Sequence, residues 1–123
     1  MTETIKLMKA HTSVRRFKEQ EIPQADLEEI LTAGQMASSW KNFQSYSVIL
    51  VRSQENKDAL YELVSQEAIR QSAAFLLFVG DLSRAEKGAS LHTDTLQPQG
   101  VEGLLITSVD AALAGQNTLL AAE

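Results

Sequence analysis

"VEGLLITSVDAALAGQNTLLAAE", residues 101–123, is the stretch on which the fold turns. It reads as a single helix, apolar on nearly every side, which predicts a helix buried among other elements. It stops at Glu123 in full helical stride, with no glycine cap and no basic residue in the last turn. The expectation is therefore a fragment of a larger fold, or a subunit completed by a partner. The strand count points the same way. Two strands and four or five helices make a thin sheet for so much apolar helix.

Upstream of this helix, "EKGASLHTDTLQPQG" (86–100) is polar and holds glycine and proline, so a mobile surface loop is expected. "AAFLLFVGD" (73–81) reads as a strand apolar on both faces, central in a sheet covered on both sides. "NKDALYELVSQ" (56–66) reads as an amphipathic helix with Leu60, Leu63 and Val64 on its apolar face. "YSVILVR" (46–52) is a second strand, apolar and β-branched. In "EIPQADLEEILTAGQMA" (21–37), Pro23 opens a helix and Asp26, Glu28 and Glu29 favour its first turn. Leu27, Ile30, Leu31 and Gly34 keep the helical spacing there. Residues 4–11 predict a short helix capped by Thr4, with Ile5, Leu7 and Met8 on its apolar side.

Composition narrows the function classes. At 123 residues the chain has the size of one domain. Its net charge of −5 argues against a general nucleic-acid binder, which would be basic. With no cysteine there is no disulfide, thiolate metal site or thiol catalysis. His11 and His92 lack zinc-type spacing, so no metal site is expected. No uninterrupted apolar run approaches the ~20 residues that span a bilayer. The N-terminus lacks the apolar core of a signal peptide. A soluble, cytoplasmic protein is expected.

Three motifs can carry chemistry. "HTSVRRF" (11–17) gathers a histidine, two hydroxyls and two arginines at one joint. Exposed amides, Ser13 and Arg15 can cradle an anion, since guanidinium binds phosphate bidentately. The alternative is a solvated joint in which Arg15 or Arg16 pairs with Glu19, Glu21 or Glu28. "ASSWKNFQSYS" (37–47) places serines, Asn42 and Gln44 between a helix and a strand. Such a loop can meet a polar planar ligand; otherwise it is a helix end and a turn, with Trp40, Phe43 and Tyr46 in the core. Gln66, just past a helix, can bind a ligand's amide edge or simply be exposed. "DLSR" (81–84) reads as a helix start, with Asp81 or Ser83 as the cap.

Taken in order, these motifs resemble the nitroreductase family of FMN-dependent NAD(P)H oxidoreductases, nearest its NADPH-type flavin reductase branch. The set is His11-Thr-Ser13-Val-Arg15-Arg-Phe17, then Ile22-Pro23, then Leu27-Glu28-Glu29-Ile30-Leu31. It continues with Ser38-Ser39, Asn42-Phe-Gln44, Gln66 and Asp81-Leu-Ser-Arg84, and "VDAALAGQNTLLAAE" looks like that family's long central helix. The resemblance implies an α+β fold, a nitroreductase-like sheet flanked by helices around a long buried central helix. Residues 1–123 would be the N-terminal part of such an FMN-binding domain. His11, Thr12, Ser13 and Arg15 would hold the phosphate, ribityl and pyrimidine side of FMN. Ser38, Ser39 and Asn42 would reach an FMN bound mainly by the other subunit of a homodimer. Gln66 would meet the polar edge of the isoalloxazine. NAD(P)H would be the co-substrate. The electron acceptor would be a small molecule: a nitroaromatic, a quinone or free flavin. No protein acid or base is implied as catalytic.

Departures from the family pattern bear on these expectations. Thr12 stands where the family often has a second arginine, Ala37 where proline is common, and Gly34 where the residue is often larger. Family members continue past this helix with a Gly-rich loop, more strands and a Lys/Arg pair for the phosphate, none of which is present in residues 1–123. Two rival readings stand beside the enzyme. One is a truncated, non-enzymatic remnant that dimerises without flavin. The other is an anion-binding module that uses only the 11–15 loop.

Overall fold

The computed structural model describes residues 1–96 and 100–123. Six α-helices and two strands follow in the order α1 (Glu3–Ala10), α2 (Gln24–Gln35), β1 (Tyr46–Val51), α3 (Gln54–Val64), α4 (Glu67–Gln71), β2 (Phe75–Gly80), α5 (Ser83–Leu91) and α6 (Val101–Ala121). A 3-10 turn at Trp40–Asn42 lies between α2 and β1. This is the α+β arrangement that the sequence implies.

The strands pair antiparallel, with Tyr46 opposite Gly80 and Val51 opposite Phe75. Residues directly opposite share a face. Tyr46, Val48 and Phe78 therefore look the same way, towards α2 and α6. The central, doubly covered strand expected at 73–81 is not seen. Among the described residues β2 has one neighbour, and Ile49, Leu77 and Val79 on the far face are exposed.

α6 is the spine, with α2 and both strands packed on it. It is not buried all round. Its buried stripe is Gly103, Ile106, Thr107, Asp110, Ala111, Ala114 and Thr118, at helical spacing. Leu104, Leu105, Val109 and Leu113 are exposed. The inward stripe is small and polar because neighbouring backbones come close. A Cβ on Gly34 of α2 would meet Thr118 Oγ1 at 2.3 Å, and one on Gly80 of β2 would meet Thr107 at 2.7 Å. Both threonine hydroxyls donate to carbonyls one turn back, Thr107 to Gly103 and Thr118 to Ala114, at 2.9 Å each. By length and composition α6 could cross a membrane, its most apolar window having a mean hydropathy of 1.2. The acid buried at its centre and the packing of α2 and β2 mark it as a core helix.

α2 forms as its periodicity predicts, with Leu27 and Gly34 buried. Other expectations are corrected. The cap of α1 is Thr2, whose hydroxyl accepts from Ile5 N–H at 3.3 Å, because Thr2 holds the extended backbone that a cap needs. α3 begins earlier, at Gln54 behind the Ser53 cap, and leaves Leu63 and Val64 exposed. Its inward residue is Lys57, whose ammonium donates to the Ser72 carbonyl at 2.6 Å beyond α4. Residues 86–91 belong to α5 rather than to a loop; its cap position is Leu82, with no side-chain cap bond, rather than the expected Asp81 or Ser83, and Asp81 accepts from Ser83 N–H at 2.9 Å from just outside the helix. Residues 97–99 of the expected loop lie outside the described residues.

Candidate functional site

α1 ends at His11, which has left helical geometry, and the chain runs without regular structure to Pro23. Residues 11–20 are all exposed. The His11 ring pairs through Nδ1 with the Glu123 carboxylate, tying the joint to the end of α6. Among the described residues Arg15 and Arg16 enter no ion pair, so the expected alternative partners Glu19, Glu21 and Glu28 do not take them. Val14, Arg16 and Phe17 line a 910 Å³ groove against α2, shared with Asp26, Glu29 and Ile30. Thr12, Ser13 and Arg15 are not part of its lining.

The second cluster is the loop from Met36 to Ser45. Lys41, Asn42 and Gln44 hold positive φ of 48°, 58° and 50°, a region that non-glycine residues enter only when their surroundings over-determine it. The source of that determination is Asp110. Its carboxylate accepts from Trp40 N–H at 2.9 Å through Oδ1 and from Ser45 N–H at 3.1 Å through Oδ2. Asp110 is 1 % exposed and Ser45 is fully buried. Ser39 Oγ accepts from Gln44 N–H at 3.0 Å, and Arg84 donates to the Gln44 carbonyl at 2.8 Å. Ser38 and Asn42 face solvent. Trp40 is exposed too, packed edge-on against Phe43 with ring centroids 5.3 Å apart and the Lys41 ammonium over its ring. The aromatic pair therefore belongs to the loop and not to the core.

Below the loop, Gln44, Tyr46, Asp81 and Arg84 line a second groove of 590 Å³. Ser47 Oγ donates to Asp81 at 2.5 Å, and with the Ser83 donors it lowers the Asp81 carboxyl to about 2. Gln66 precedes α4 in extended geometry and is exposed.

The residues read as cofactor-binding thus form three separate exposed groups: the 11–15 joint, the 38–42 loop and Gln66. The joint meets the end of α6 and the loop meets its middle. Asp110 and Ala121 are eleven residue steps apart on the helix, about 17 Å at 1.5 Å per residue. Within this chain the first two groups meet α6 at different places. Asp110 was not among the expected site residues. The signal for it was one acid in the middle of an otherwise apolar helix, which must find donors if that helix is packed. Among the described residues no group of three His, Asp or Glu side chains is placed to hold a metal ion.

The comparisons with known proteins agree on one family. The pattern described as the nitroreductase family matches residues 8–123. An NADPH-dependent oxidoreductase of Staphylococcus saprophyticus is 34 % identical over 119 residues, which is 95 % of this chain and 47 % of that protein. An FMN reductase [NAD(P)H] of Bacillus subtilis is 36 % identical over 126 residues, covering all of this chain and 51 % of the relative. The solved structure of B. megaterium NfrA2 superposes on 99 % of this chain and 50 % of its own, with a TM-score of 0.95 and 31 % identity. The chain spans about half the length of the curated relatives it matches. A fold shared almost end to end, and a family pattern that runs from the first helix to the last residue, lead to one conclusion: this chain belongs to the nitroreductase family.

Proposed function

We propose that this chain carries the N-terminal half of an FMN-dependent NAD(P)H oxidoreductase and works as a homodimer in the cytoplasm. The observation that carries the reading is its 36 % identity, along its whole length, to a protein named FMN reductase. The donor set fits the group. A guanidinium free of internal ion pairs, hydroxyls and an imidazole on one exposed segment suit a phosphate monoester and a ribityl chain.

The chemistry that FMN supplies when bound is acceptance of hydride at N5 from NAD(P)H and its delivery, in a second half-reaction, to a nitroaromatic, a quinone or free flavin. The chain's own residues bind and orient. Arg15 would meet the charge of the phosphate, and His11, Thr12 and Ser13 would hold the adjoining polar side of the group. Gln66 presents an amide to the polar edge of the ring. Ser38, Ser39 and Asn42 sit on the loop that is held at the middle of α6, apart from the joint at its end, which suits a ring held mainly by a second copy. The exposed leucines of α6 supply the apolar surface for that copy. No side chain is assigned as acid or base.

The test is a visible absorption spectrum of the purified chain, its intact mass, and an FMN titration. A stoichiometric flavin band that bleaches on anaerobic addition of NADPH and returns with a nitroaromatic is the expected result. A colourless chain of correct mass that takes up no added FMN would overturn the reading. The non-enzymatic reading would then stand in its place. Phosphate binding without flavin binding would favour the simple anion module.

A further inference from the structure

We propose that Asp110 is a positioning residue. It sets the backbone of the 40–45 arc and, through that arc, the presentation of Ser38, Ser39 and Asn42 to the flavin. The flavin half of this statement rests on the function proposed above; the clamp itself does not.

Asp110 is the acid of the buried α6 stripe, and it is spent wholly on a loop from 65 to 70 residues upstream. Its two oxygens serve the two ends of one arc, Trp40 N–H and Ser45 N–H. Between those ends lie three non-glycine residues at positive φ. Each such residue is held against a local preference for the right-handed or extended regions. Closing both ends on one rigid carboxylate leaves the arc few other ways to run. Two N–H groups facing two acceptor oxygens is a pattern that only a carboxylate completes. An amide of the same shape offers one acceptor and sets its NH₂ against the other donor. The bonds of Arg84 and Ser39 secure the Gln44 end of the arc and do not involve the Trp40 N–H.

The test compares the full chain with Asp110→Asn, which keeps the shape, and Asp110→Ala, which removes both acceptors. Thr107→Ala, on the same stripe but with its hydroxyl bonded within α6, reports general loss of packing. Amide hydrogen exchange at Trp40 and Ser45, resolved by NMR, reads the clamp. FMN fluorescence titration reads the consequence, and thermal unfolding sets the scale. The expected order is parent, then Asn, then Ala. Protection at the two amides should fall about 10- to 100-fold for Asp110→Ala, the scale of losing hydrogen bonds to a charged group. FMN affinity should fall in the same order, while Thr107→Ala keeps the parent's values for both. If Asp110→Asn matched the parent in both readouts, only the shape of the residue would matter and the proposal would fail. The same holds if Thr107→Ala, at equal thermal stability, lost as much affinity. A parent chain that took up no FMN would overturn the flavin half, leaving the clamp to be decided by amide exchange alone.

Discussion

Thr118 occupies the space that a side chain on Gly34 would need: a Cβ at residue 34 would lie 2.3 Å from Thr118 Oγ1. The threonine cannot easily swing aside, because its hydroxyl donates to the Ala114 carbonyl at 2.9 Å. α2 and α6 are thus brought together by one missing methyl and one locked rotamer.

Gly34→Ala should therefore destabilise the chain by about 1–3 kcal/mol, the usual cost of overpacking. Differential scanning calorimetry of the parent, Gly34→Ala, Thr118→Ala and the double variant checks this. The double variant should recover most of the loss, because the next atoms stand at 3.5 Å or more from the new Cβ. Additive losses would mean that the contact is not what sets the helix spacing.

Asp81 gives the stability a signature in acid. Ser47 and then Ser83 hold its carboxyl at about 2, below the ordinary 3.8. A depressed carboxylate contributes stability that is complete above its ordinary value and is lost as pH falls through its folded value. The loss should fall between 3.8 and about 2. Ser47→Ala should raise the Asp81 midpoint towards 3.8, followed by carboxyl carbon shifts in an NMR titration.

Lys57 is buried in α3, with its ammonium on the Ser72 carbonyl at 2.6 Å. Lys57→Met keeps the length and apolar stem but leaves that carbonyl without its donor, a loss of about 1–3 kcal/mol. Urea unfolding reads the size of the effect. Faster amide exchange confined to α4 and the turn after it would locate the effect at Ser72.

Arg15→Ala should weaken FMN binding, since each charge-assisted bond lost is worth about 1.5–3 kcal/mol. Fluorescence titration measures it. FMN held as tightly by Arg15→Ala as by the parent would place the phosphate elsewhere than the 11–15 joint.

What could be read in the sequence was whatever hydrophobic spacing records. Leu27 and Gly34 mark the inward face of α2, and the β-branched and aromatic run at 46–51 marks β1. Polar devices were harder to see. α5 is polar and holds Gly88, so its composition imitates a loop, and its cap position is Leu82, which no cap signal in the sequence marks. Leu63 and Val64 pointed to the wrong face of α3, because the inward position belongs to a lysine that satisfies a backbone carbonyl. The leucines of α6 implied burial, yet its inner stripe is glycine, alanine, threonine and aspartate, chosen by how closely α2 and β2 approach. In the candidate site, the donor-rich joint is plain in "HTSVRRF". The left-handed turns at Lys41, Asn42 and Gln44 are not, since no glycine announces them and their cause lies in another helix.

That last separation has a consequence for how the chain is made. A ribosome delivers residues in order, and domains tend to fold as they emerge. The β1–β2 pair can form once β2 is out, but the ends of the 40–45 arc wait on a carboxylate 65 and 70 positions further along. Until residue 110 leaves the exit tunnel, the arc has nothing to close on. The most tightly specified loop in the chain is thus among its last parts to take shape during synthesis.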